Sequence, residues 1–186
     1  MALHLPRFSY DDLARLPDDG RRYELADGDL LVSPAPTTDH QGISARLGAL
    51  LFRAEEASFG RMFTAPTNVY FGPYRVVQPD LLFVARDQLD IITRMHIAGA
   101  PDLIVEILSP GTRDRDLGWK KTLYVREGVR HYRVVDPLDQ TVRSFVLGER
   151  GYADVAPLSG DAPLSCALFP GIGSVVERLF PAAVGH

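Results

Sequence analysis

Apolar residues in this chain fall mostly in short runs punctuated by glycine, proline and aspartate, and only one long stretch carries a clear helical spacing. At about 100° per residue, Ile43, Leu47, Leu50, Leu51 and Ala54 share one stripe, which predicts a helix from about His40 to Ala57 with Asp39 as its cap. His40 lies on the same stripe, in the first turn and facing inward. A packed or capping histidine and a site histidine both fit there. The remaining runs have strand length. Leu103 to Leu108 is apolar with one interruption, Glu106, and is stopped by Ser109-Pro110-Gly111. Strands are expected near 102–108 and 131–135, with a helix-like stretch between them that carries Lys120 and Lys121. Arg21–Leu25 and Asp29–Val32 flank Ala26-Asp27-Gly28, a hairpin turn. Glu24 points away from the face of Tyr23 and Leu25, where a solvated position is expected.

The other elements follow from the same punctuation. Met62–Phe71 reads as a strand with an irregularity at Pro66, and Val76–Val84 as a strand interrupted by Pro79. Residues 86–99 read as a helix or helical turn ending at Gly99. Thr141–Leu147 is a strand, followed by a small strand near Tyr152 and a helical turn over 175–180. Residues 1–20 read as an arm in which Ser9 caps a short helix over Tyr10–Leu16. The expected class is α+β: one domain over residues 1–186, a mixed central sheet flanked by helices, and an N-terminal hairpin extension.

Charge changes this picture locally. The net charge is −4, which argues against nucleic-acid binding through bulk charge and leaves a local basic site open. Residues 1–40 are acidic on balance, whereas 111–133 are basic, so positive charge falls just after Glu106. The single cysteine, Cys166, excludes an internal disulfide and a multi-cysteine zinc site and fits a reducing cytoplasm. No signal-peptide core and no membrane-length apolar run is expected.

Two carboxylates stand out. Asp80 opens the apolar run Leu81–Val84, and Glu106 interrupts another. An unpartnered buried carboxylate costs several kcal/mol, so each needs a reason. A turn or cap role for Asp80 and a structural arginine partner for Glu106 are the plain readings. A shared divalent cation is the functional one, because like charges brought close by neighbouring strands repel unless a cation lies between them. Asp102 is a rival on the same strand face as Glu106, placed at the strand entry where a solvated or capping role fits. A helical wheel puts Lys120 and Lys121 on either flank of the apolar stripe and does not choose between them. Lys120 and Tyr124 are four apart and can act on one spot. Arg113 and Arg115 precede the helix, and with Lys121 they are the candidate nucleic-acid contacts. A solvated loop is the plain reading of the two arginines.

Asp80, Glu106-Ile107-Leu108-Ser109-Pro110, Asp116, Lys120, Tyr124, Gly128-Val129, Tyr132 and Val135-Asp136-Pro137 together resemble the Uma-two family of restriction endonucleases, within the PD-(D/E)XK nuclease superfamily. The resemblance extends back through Gly99-Ala100-Pro101-Asp102, Gln78-Pro79-Asp80, His40 and Pro36 to Tyr23-Glu24-Leu25. It implies a restriction-endonuclease-like fold and phosphodiester hydrolysis of nucleic acid, with DNA as the expected substrate and Mg²⁺ or Mn²⁺ as cofactor. Asp80 and Glu106 match the metal-binding acids, with the Ile107 backbone carbonyl as third ligand. The superfamily lysine usually stands two residues after the second acid, where this chain has Leu108, and the family pattern moves it to Lys120. Tyr124 matches a motif tyrosine, and Glu24 and His40 match accessory positions near the site. Where the family often has Tyr-Trp, this chain has Tyr132-Arg133. The resemblance also allows a homodimer. The alternative is an inactive nuclease-fold module that binds nucleic acid or a protein partner.

Overall fold

The computed structural model describes residues 7–181. Its elements in chain order are α1 (Tyr10–Leu13), β1 (Arg22–Ala26), β2 (Asp29–Ser33), α2 (Thr38–Glu56), β3 (Gly60–Thr64), β4 (Val69–Gly72), β5 (Arg75–Val77), β6 (Leu81–Ala85), β7 (Ile97–Ala98), β8 (Leu103–Ile107), α3 (Arg113–Arg115), α4 (Lys121–Glu127), β9 (His131–Asp136), β10 (Thr141–Gly148), β11 (Gly151–Tyr152), β12 (Pro163–Ser165) and β13 (Gly173–Val175). A six-stranded sheet runs β11-β10-β9-β8-β6-β3, a five-stranded sheet runs β2-β1-β5-β4-β7, and β12 pairs with β13. β8 and β9 are parallel. Parallel neighbours need a crossover, and α3, a π-helical turn over Asp116–Lys120 and α4 supply it.

β6 and β8 are buried along their whole length, so both faces of their sheet need cover. Odd-numbered Leu81, Phe83, Leu103, Val105 and Ile107 pack with the α2 stripe and with Phe169 and Val176 near the C-terminus. Even-numbered Leu82, Val84 and Ile104 pack with Leu123 and Tyr124 of α4 and with Val69, Val77 and Ile97 of the second sheet. This is the two-residue period of a strand. It assigns Glu106 to the even face, toward α4 and the second sheet.

Several sequence expectations are corrected. Met62–Phe71 is two strands in different sheets, β3 and β4, and Val76–Val84 is likewise β5 and β6. Proline has no N–H to give a ladder, and Pro66 and Pro79 each lie where the chain passes between sheets. Asp80 ends the second passage, one residue before β6. Residues 86–99 form a 3-10 turn over Arg86–Ile91 and the short β7 rather than an α-helix. The cap of α2 is Thr37, whose hydroxyl accepts the His40 N–H at 3.3 Å, and Asp39 lies inside the first turn. α1 is opened by a reciprocal Ser9–Asp12 capping box and stops at Leu13. The expected N-terminal arm begins with residues 1–6, which lie outside the described residues. Its later part is docked on the second sheet, where Phe8 N–H donates to the Gly28 carbonyl and Tyr10 N–H to that of Pro73.

The hairpin turns on Asp27 (φ 51°) and Gly28 (φ 96°), two positive φ values as a tight two-residue turn requires. β5, β4 and β7 extend this hairpin into the second sheet. Among the described residues no helix is long and apolar enough to cross a membrane.

Candidate active site

The β6–β8 ladder pairs Leu81 with Val105 and Leu82 with Ile104. One step further, the same register sets Asp80 opposite Glu106 on the even face, the cross-strand position in which side chains meet. Asp80 Oδ2 accepts the Ile107 N–H at 2.7 Å. His40 Nε2 lies 3.1 Å from the same oxygen, and Arg22 pairs with Oδ1. His40 thus reaches Asp80 from the first turn of α2, and Arg22 from β1.

Glu106 is held from the crossover. Tyr124 OH donates to its Oε1 at 2.8 Å, and Lys120 Nζ donates to the same oxygen at 2.9 Å. Lys120 Nζ also lies 2.8 Å from Glu24 Oε1 and 3.5 Å from Asp116 Oδ1. Asp116, Lys120 and Tyr124 are spaced by four and share one helix face. The π-helical turn displaces the regular wheel that left both lysines equivalent. Lys120 turns inward, and Lys121 turns outward to set its ammonium 4.2 Å from the Phe145 ring centroid. Tyr132 OH donates to the Asp116 carbonyl at 2.8 Å and fastens that turn to β9.

Arg22, Glu24, His40, Asp80, Glu106, Asp116, Arg115 and Lys120 all line one cleft of about 390 Å³. Glu24 is buried, not solvated. Its strand face is the one shared with Arg22, and that face turns toward Lys120 and Arg115 of the crossover. Gln78 N–H donates to Glu24 at 2.9 Å. Arg115 donates to Ser33 Oγ at 2.6 Å and lies 3.8 Å from Glu24. Arg113 stands outside the cleft, 2.5 Å from Asp136 and 3.9 Å from Asp139. Lys121 is outside it too. Tyr124 does not line the cleft and acts on it through Glu106. Asp102 is fully buried at the far end of β8, where it accepts the Ala85 N–H at 2.7 Å and lies 3.3 Å from Arg130. That is a structural capping role. Arg22 is not among the residues that the sequence reading brings to the site, and Asp116 enters that reading only as one of the residues that carry the family resemblance, with no role assigned. The signals that could have found them were Arg22 sharing a strand face with Glu24, and Asp116 standing four residues before Lys120.

Four buried carboxylates, Glu24, Asp80, Glu106 and Asp116, face three fixed cations, Arg22, Arg115 and Lys120. Burial and this imbalance together show in proton affinities. Burial, reinforced by the Asp116, Asp80 and Glu24 charges, outweighs Lys120 and pushes the Glu106 carboxyl up to about 8. Burial also raises Asp116. Burial opposes the charge on Asp80 as well, but His40, Arg22 and the Ile107 N–H more than offset it, and its pKa falls. Burial works against the Lys120 ammonium, yet Glu106, Glu24 and Asp116 overcome it, so Lys120 stays protonated.

Among the described residues no three carboxylate, imidazole or thiolate groups form a ready-made cation cage. The donor set nonetheless suits a hard divalent ion, which often takes only one or two carboxylates and completes its shell with water and substrate phosphate. Among the described residues both hydrogen bonds to Glu106 land on Oε1, leaving Oε2 without a donor, and the buried Asp116 Oδ1 has no hydrogen-bond partner.

A mixed sheet with carboxylates opposed on neighbouring strands, and a crossover helix bringing a lysine to them, defines a restriction-endonuclease-like protein. The chain belongs to the Uma2 family, described as "Putative restriction endonuclease", whose profile matches residues 10–177. Among solved structures it is similar to a protein from Anabaena variabilis described as a putative nuclease belonging to DUF820. The TM-score is 0.77 at 19% identity, over 93% of this chain and 97% of that one. At that identity the likeness speaks for the fold. No curated protein matches the chain.

Proposed function

We propose that this protein is a divalent-metal-dependent nuclease that hydrolyses phosphodiester bonds in nucleic acid, with DNA as its substrate. The observation that carries this reading is Glu106: a buried carboxylate opposite Asp80, with one oxygen undonated and a proton affinity raised by burial and by the neighbouring carboxylates. Asp80, Glu106 and the Ile107 carbonyl would hold Mg²⁺ or Mn²⁺. Such an ion, when bound, polarises a phosphate and lowers the pKa of a nearby water.

The chain's own residues divide the remaining work. Tyr124 fixes the Glu106 carboxylate, and His40 with the Ile107 N–H fixes Asp80. Lys120, kept protonated by three carboxylates, does not take a proton from water. It stabilises charge that builds on the phosphate. Arg22 neutralises Asp80 while no cation is bound, and its guanidinium is the group to be exchanged when one binds.

The Arg22–Asp80 pair also favours the second reading, an inactive module whose acids are structural. Incubating the protein with single- and double-stranded DNA and RNA, with Mg²⁺, Mn²⁺ or chelator, separates the two. The nuclease reading expects cleavage that chelator stops and that Asp80→Asn and Glu106→Gln abolish. Cleavage indifferent to both substitutions, or none with any substrate, rejects it.

A further inference from the structure

We infer that the cleft receives its nucleic acid as an unpaired strand, with a nucleotide beside the scissile phosphate seated on an apolar rim, and not as an intact duplex. This rests on the nuclease reading above and adds the substrate class.

Depth is the first reason. Glu106 is 2% exposed and Asp80 3%, and both stand inside a cleft of about 390 Å³. A pocket of that order encloses a single small molecule. B-DNA is a rod whose major groove alone is about 12 Å wide. A phosphate on that rod stops at the mouth of the cleft. It reaches the buried carboxylates when its strand leaves the helix, as in enzymes that extrude a nucleotide before acting on it.

The rim is the second reason. Pro34, Ala35 and Pro36 from the β2–α2 loop, Pro110 after β8, and Pro137 and Leu138 from the β9–β10 turn border the cleft. Leu138 is 79% exposed. Apolar groups of this kind can pack against the faces of unstacked bases, and they offer neither charge nor hydrogen bond to a sugar–phosphate backbone. The rim is continuous with the carboxylates, so a base seated on it belongs to the strand being cut.

The third reason is where the positive charge goes. Proteins that grip a duplex carry a row of free lysines and arginines along several phosphates. The lysines and arginines lining this cleft, among the described residues, are Arg22, Arg115 and Lys120, and each lies against a carboxylate. Arg113, just outside, is taken by Asp136 and Asp139. The chain as a whole carries −4.

The test is fluorescence anisotropy on the full chain carrying Glu106→Gln, which on this account neither loads the ion nor cuts, with one mixed sequence presented as single-stranded DNA, single-stranded RNA and a hairpin duplex. The single-stranded probes should bind about tenfold tighter than the duplex, and the DNA and RNA arms tell which sugar is preferred. Leu138→Ser in the same background should weaken single-strand binding several-fold with unchanged melting, and Leu138→Trp should tighten it by adding a stacking surface. Duplex binding equal to or tighter than single-strand binding, no binding of any probe, or indifference to both Leu138 changes overturns the inference. Cleavage by the unsubstituted chain separates the two failures. Glu106-dependent cutting of duplex as fast as single strand sinks this inference and leaves the nuclease reading standing. Preferential single-strand binding with no Glu106-dependent cutting does the reverse.

Discussion

Glu106 holds its proton far more tightly than a free carboxyl does, chiefly because it is buried. Its folded pKa of about 8 lies above the unfolded value near ~4.3, so between those limits the folded chain holds a proton that the unfolded chain releases. The Glu106 contribution to the stability of the metal-free protein should therefore fall as pH rises through that window. Melting temperatures between about pH 6 and about pH 8 should show this decline, and Glu106→Gln should flatten it; an equal slope in both proteins contradicts the assignment. Lys120 keeps Glu24 and Asp116 in that variant, so no buried cation is stranded and the fold should hold. Arg22→Gln makes a second test. Removing the guanidinium that competes for Asp80 should tighten Mg²⁺ binding about tenfold, while turnover falls about a hundredfold because the guanidinium, once exchanged from Asp80, is no longer there to meet the phosphate in the same cleft. Both constants falling together would show that Arg22 merely holds the site in shape. Asp80 and Glu106 were legible in the sequence because a carboxylate inside an apolar run advertises its own cost. Arg22 was not, since its partner stands 58 residues away and a strand arginine near a hairpin looks like any solvated one.

At the scale of elements, the π-helical turn over Asp116–Lys120 decides which lysine enters the cleft. Lys120→Ala leaves Glu24, Glu106 and Asp116 without their shared cation and should cost about 3–5 kcal/mol in urea unfolding. Lys121→Ala removes only a contact over Phe145 and should cost no more than about 1 kcal/mol. Comparable losses in the two variants would contradict the inward placement of Lys120. A wheel drawn at constant pitch could not separate these neighbours, because the irregularity that separates them is set by tertiary contacts such as Tyr132 OH on the Asp116 carbonyl. The same limit explains the strands. β8, β9 and β10 were readable from their own runs. The breaks at Pro66 and Pro79 read as irregularities in single strands, since nothing local says that the chain is passing between sheets.

At the scale of the molecule, the site is assembled from both sheets, α2 and the crossover. β1 gives Arg22 and Glu24, α2 gives His40, the entry to β6 and the end of β8 give the opposed acids, and the crossover gives Asp116 and Lys120. The hairpin is thus an integral wall of the cleft. With so few free cations at its mouth, binding of single-stranded DNA should weaken only shallowly with salt, with a log–log slope of about −1 to −2 by fluorescence titration. A slope several times steeper would point to a phosphate-tracking surface elsewhere. The most direct measurement is calorimetric titration of Mg²⁺ into the substrate-free protein, in buffers of different ionisation heat, at about pH 7 and about pH 9. One ion should bind per chain through Asp80 and Glu106. It should release about one proton at the lower pH, where Glu106 is protonated, and almost none at the higher. Asp80→Asn and Glu106→Gln should each abolish binding. Mg²⁺ binding that survives both substitutions, or that releases no proton at the lower pH, contradicts a metal-dependent site built on these two acids.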